Sequence, residues 1–150
     1  MSRLNDHYGA FSRFVLGGAA VVSWYNAFSD NSNNLARIAK TADGGMLIWL
    51  MGLCGILVVL DVLMNDWTPD FLCVRGKYIR IVWKKAFEKR HYLFLGLAFC
   101  YGAQPFVADM SGRPVSLVVY FYFWAGVNVT IAFYDARERS RSLGWRKTYS

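Results

Sequence analysis

Very little in this chain is suited to catalysis or metal binding. Its 150 residues include two histidines, three cysteines and ten acidic residues. His7 and His91 stand apart, each beside the start of an apolar run. Cys54, Cys73 and Cys100 form no CxxC pair, and two of them lie inside apolar runs, so neither a disulfide framework nor a zinc site is expected. No GxSxG, HExxH, P-loop or dinucleotide fingerprint occurs. The expectation is a protein that is not an enzyme and holds no metal and no cofactor. Charge is scarce too, at 18% of residues against 55% hydrophobic, with a mean hydropathy of +0.24. A soluble domain of this length carries more charge and spaces its apolar residues periodically, whereas here they come in blocks. The net charge of +7 suits nucleic acid on its face, but the cations flank apolar runs. In that position they meet anionic lipid headgroups and set orientation, so no nucleic-acid partner is expected.

Four blocks follow one another. Phe14–Phe28 is apolar but only fifteen residues long, about 22 Å as a helix against a hydrocarbon core of about 30 Å. Extended back to Tyr8 it reaches across, provided Arg13 snorkels to the interface. Arg3 and Arg13 around a short apolar core, with Ala27-Phe28-Ser29 beyond, also resemble a signal peptide. With Met1 in place, a retained first span over 8–28 is the expectation. Ser29–Gly44 is a polar loop in which Asn33 or Asn34 caps a short interfacial helix through Ala42, stopped by Gly44-Gly45. The second span covers 45–64, with Asp61 as its only charge. The third covers 91–108, with Gln104-Pro105 in its final third, where proline bends or frays the helix. After a tight turn at Asp109–Arg113, Pro114 opens the fourth span, 114–134. Residues 135–150 form a basic tail whose Trp145 and Tyr149 suit a headgroup layer.

The cations decide the topology. Placing both termini on one side puts fourteen Lys and Arg residues there and three on the other. This is the positive-inside pattern of an integral protein of a bacterial-type inner membrane, with both termini cytoplasmic. The fold class expected is all-α: one domain of four transmembrane helices, arranged as two helical hairpins joined by a basic cytoplasmic loop, 65–90. Within that loop Thr68-Pro69-Asp70 is a helix-start signal. An amphipathic helix broken near Gly76 is preferred over short strands at Phe71–Val74 and Lys77–Val82.

Several residues are candidates for function. Asp61 is costly inside a span and calls for a partner, either Arg13 or a loop cation; a proton or ion pathway is the alternative. Gln104, Asn128 and Thr130 are further polar groups within spans, suited to interhelical hydrogen bonds or to a conduit. Asn128-Val129-Thr130 fits a glycosylation sequon but lies inside a span. Ala19, Ser23 and Ala27, then Ala98 and Gly102, then Gly126 and Thr130 place small residues four apart, permitting close helix approach. The aromatic block Tyr120–Trp124 circles its helix, so part of it faces lipid or another subunit. Arg75, Lys77, Arg80, Lys84, Lys85, Lys89 and Arg90 in the loop join Arg137, Arg139 and Arg141 in the tail. Together they form a basic face for anionic lipid or a cytoplasmic protein partner.

The function expected is positional: a homo-oligomer, or a subunit that anchors a cytoplasmic partner through that face. The alternative is a pore, small transporter or membrane sensor, of the holin-like, superinfection-exclusion or phage-defence kind, with a polar conduit near Asp61 and Asn128.

Overall fold

A computed structural model describes residues 2–29, 34–66, 85, 87–107 and 115–148. The expectations for Thr68-Pro69-Asp70, the 71–82 segment, the 109–113 turn and Pro114 lie outside those residues. Among the described residues the chain is helical with no strand. Among the described residues five α-helices run in order: α1 (Ser2–Ser29), α2 (Asn34–Ala39), α3 (Ala42–Asp61), α4 (His91–Val107) and α5 (Val115–Thr148). α3 passes directly into a π-helical turn, Val62–Asp66, and a 3-10 turn, Phe87–Lys89, leads into α4. Residues 42–64 and 117–138 are long and apolar enough to cross a membrane.

Three boundaries differ from expectation for local physical reasons. Gly44-Gly45 does not stop α2; it lies in the first turn of α3. Thr41 caps that helix, its hydroxyl accepting from Gly44 N at 3.2 Å and donating to Ile38 O at 2.7 Å. A methyl group on Gly44 or Gly45 would come 2.5 Å from Ile38 O or 2.6 Å from Ala39 O. The glycines therefore let α3 start against the carbonyl end of α2. At the other end of the bundle, α5 continues fourteen residues past Tyr134 through the basic tail. A polar segment there extends a helix already nucleated by the apolar run, which avoids the nucleation cost of an isolated helix. Tyr134 donates to Glu138 one turn further on, at 3.1 Å, across the junction. Finally, α1 begins at Ser2, so Arg13 lies well inside the helix, and it is buried rather than snorkelling.

Packing divides the helices into two antiparallel pairs. α1 lies chiefly on α3, α5 chiefly on α4, and the α3–α4 contact joins the pairs. α1 and α3 approach closely where Gly17 and Gly55 remove side chains from both surfaces. A methyl on Gly55 would sit 2.8 Å from Gly17 O and 2.9 Å from Ala20 Cβ. One turn along, the indole of Trp24 fills the space over Gly52 and meets Trp49 edge-on, with ring centroids 5.0 Å apart. In the second pair, Tyr101 stacks on Trp124 with centroids 6.4 Å apart, and Gly102 faces Ala125. Phe94, Leu97, Ile48, Met51 and Phe121 fill the shared core.

Substituting Gly55 with Leu should cost stability by driving a side chain into the α1 backbone, where overpacking typically costs about 1–3 kcal/mol. Gly126→Leu, at a position with nothing within 4 Å of an added carbon, should leave stability nearly unchanged. Thermal unfolding of both variants in the same detergent measures the difference; equal losses would contradict the Gly17–Gly55 contact.

Candidate functional site

Four charged residues, one from each long helix or its leading turn, meet at one end of the bundle. α1 contributes Arg13, one turn before the Gly17 contact. α3 contributes Asp61, its last residue and the junction with the π-helical turn. Arg90 occupies the turn between the 3-10 segment and α4, and Asp135 follows the last apolar residues of α5. Arg90 Nε donates to Asp135 Oδ2 at 2.9 Å, and Arg90 Nη1 lies 3.6 Å from Asp61 Oδ2. Arg13 Nη1 donates to Asp135 Oδ1 at 3.5 Å. The side chains of Asp61, Asp135 and Arg13 are 3%, 6% and 10% exposed, and Arg90 is the most open at 30%.

Among these four residues two carboxylates balance two guanidiniums, with signs alternating along Arg13, Asp135, Arg90 and Asp61. Burial of any one charge alone would be prohibitive, so each is held by an oppositely charged neighbour from another helix. Arginine suits this place because its fork reaches two carboxylates at once and stays charged. Of the cations considered as partners for Asp61, the loop residue Arg90 lies 3.6 Å from its carboxylate. Arg13, the other cation considered, joins the cluster through Asp135. Asp135 received no notice in the sequence, since it stands at the start of a polar tail; its signal was an acid directly after an apolar run rich in packing residues.

The remaining candidate residues are not gathered around this cluster. Gln104 is fully buried further along α4, and neither of its amide atoms has a hydrogen-bond partner among the described residues. Asn128 is buried and donates to Trp124 O of its own helix at 2.8 Å. Thr130 faces outward, its hydroxyl donating to Gly126 O at 2.9 Å. An open apolar groove of about 430 Å³ runs past Gly126 and Thr130 on the outer face of α5. One chain therefore does not bring Asp61, Gln104, Asn128 and Thr130 into a single conduit. Ser23, Ala27 and Ala98 are buried, Ala19 is half-buried, and Gly126 is exposed. The close contact of α1 with α3 uses Gly17 and Gly55, which spacing alone does not single out. Cys54 and Cys100 are free and buried.

Of the basic residues, Lys85, Lys89 and Arg137 are exposed, and Arg90 is turned into the cluster. Arg75, Lys77, Arg80 and Lys84 lie outside the described residues; for Arg139 and Arg141 the helical backbone alone is described. Comparisons with family models, curated proteins and solved structures return no match.

Truncation of Asp135 removes the carboxylate that both arginines share, so Asp135→Ala should cost about 3–5 kcal/mol, the usual result of breaking a buried pair. Arg137→Ala, two residues along the same helix but exposed, should change stability by no more than about 0.5 kcal/mol. Denaturant unfolding of the two variants separates them; equal destabilisation would contradict the role given to Asp135.

Proposed function

We propose that this protein is a four-span inner-membrane anchor, not an enzyme, that holds a cytoplasmic partner at the membrane through a projecting basic helix. The observation that carries this reading is the unbroken course of α5, which is apolar from Val115 to Tyr134 and polar and basic from there to Thr148. At 1.5 Å per residue, the polar part extends about 20 Å beyond the apolar one. Lys85 and Lys89 stand exposed at the same end of the bundle, next to Arg90. Cations concentrated there suit anionic headgroups or the acidic surface of a protein.

Embedding in a bilayer is supported by the outer surface. Every long helix turns large apolar side chains outward, among them Val22, Leu53, Phe99 and Phe123, each more than half exposed. Apolar surface on all sides of a bundle is an aggregation hazard in water and an ordinary feature in lipid. α1 gains the length its apolar run lacks because Arg13 is neutralised by Asp135. α4, with seventeen residues, reaches about 26 Å, within what local thinning of a bilayer accommodates. The cation count supports a cytoplasmic position for both termini.

Two experiments follow. A cysteine at Lys40 should react with a membrane-impermeant maleimide in intact cells, and one at Lys89 only after permeabilisation; the reverse pattern would invert the topology. Charge reversal at Lys84, Lys85 and Lys89 to Glu should release the co-purifying partner at low salt while the bundle remains folded. Unchanged co-purification would count against recruitment through the basic face.

A further inference from the structure

Two thiols converge on the seam that joins the two pairs of helices. Cys54 lies on α3 and Cys100 on α4, and both are buried and free. A methyl on Gly96, four residues before Cys100 on α4, would lie 3.3 Å from Cys54 Sγ. The sulfur of Cys54 therefore rests on the turn of α4 that carries Gly96. Helical side chains lean toward the N-terminus of their own helix and cover the turn before them, so Cys100 projects over that same turn. The axial positions agree. Cys54 is seven residues from Asp61 and Cys100 ten from Arg90, about 10 and 15 Å from the charged level at 1.5 Å per residue. α3 runs toward that level and α4 away from it, so Cys54 leans away from the charges and Cys100 leans back to meet it. The two thiols also interact electrostatically. Met51 stands on the same face of α3, one turn before Cys54, and is buried as well. All three belong to one apolar cluster with Val58 and Leu97.

A single buried cysteine is an ordinary small apolar residue. Two that meet across a helix seam, with a thioether one turn away, make a set of soft donors. We propose that Cys54 and Cys100 form a binding site for the soft monovalent cation Cu(I), with Met51 as a third donor. The donor set selects the ion. Structural zinc and iron–sulfur clusters take four ligands, whereas Cu(I) favours thiolate and thioether sulfur and is stable with two or three. Such a site needs no CxxC spacing, because its donors come from different helices. The apolar surroundings select the charge, since net charge is costly there. Cu(I) displaces the proton of one thiol and binds the thiolate; the second thiol and the thioether donate lone pairs without ionising. One positive charge enters, one proton leaves to solvent, no electron is transferred, and the occupied site is neutral. The bound ion would join α3 to α4 by coordinate bonds at the contact between the two pairs of helices. It lies apart from the charge cluster and is independent of recruitment through the basic face.

The test uses the full chain in phosphatidylcholine nanodiscs, without oxygen, with Cys73→Ser so that only these two thiols remain. Cu(I) is offered as its bicinchoninate complex, whose colour falls as the protein withdraws the ion. One ion per chain should be taken up, X-ray absorption should show sulfur as its only neighbour, and the thermal midpoint should rise because the ion binds the folded chain. Cys54→Ser and Cys100→Ser should each weaken uptake by more than about 100-fold, beyond the roughly 10- to 100-fold loss usual for removing an outer-shell group. Met51→Leu, which conserves volume, should weaken it less. Gly96→Ala keeps both thiols but crowds Cys54 Sγ; it should also lower affinity, and it serves if a cysteine substitution prevents folding. Equimolar Zn(II) should not compete. The proposal is overturned if the Cys73→Ser chain takes up no Cu(I), or if uptake survives unweakened in a folded Cys54→Ser or Cys100→Ser chain. Nitrogen or oxygen next to the metal, or its displacement by Zn(II), would overturn it equally.

Discussion

Placing an arginine inside an apolar bundle requires an acid within reach, and the architecture depends on how this chain meets that requirement. Arg13 interrupts the first apolar stretch and would confine α1 to a fifteen-residue membrane segment if it had to reach water. Asp135 removes that limit. Arg90 is then drawn in by Asp135 and Asp61 together, which brings the start of α4 to the end of α3. The same cluster fixes where α5 changes from apolar to basic. The four long helices are thereby held at one level by contacts of 2.9 to 3.6 Å. Beyond that level toward the other end, the bundle relies on close packing: glycine against glycine between α1 and α3, and aromatic stacking between α4 and α5.

This division of labour suits the proposed setting. Hydrophobic burial gives little specificity between helices surrounded by lipid, so contacts come from small residues and polar pairs. Gly17 and Gly55 supply the first kind, and the charge cluster the second. The proposed anchor needs a firm bundle and an exposed recognition element, and α5 would supply both in one helix. Its apolar length packs on α4, and its basic length continues past Asp135 as one unbroken helix.

The sequence made the helical class legible because the apolar residues come in blocks that no soluble periodicity explains. Asp61 stood out for the same reason: a lone acid in an apolar run calls for a cation. What local reading missed depends on residues far apart in the chain. Arg13 looked like a snorkelling residue because its counter-charge is 122 positions away. Asp135 reads as the first residue of a tail because the polarity of the chain changes there, although the helix itself continues. Gly44-Gly45 is ambiguous in principle: two glycines end one helix or admit the close approach of another, and only the Ile38 and Ala39 carbonyls distinguish the two. The polar groups proposed for a conduit share a composition but not a location, since period alone does not say which face of a helix meets its neighbour.

The central claim is that Arg13 and Asp135 fasten α1 to α5 directly. A double-mutant cycle on unfolding free energy, using Arg13→Met, Asp135→Asn and the two combined, measures that fastening. A coupling of at least about 1 kcal/mol is expected, with the double variant less destabilised than the sum of the single ones, as for residues in one buried network. Additivity within about 0.5 kcal/mol, the behaviour of independent sites, would contradict it.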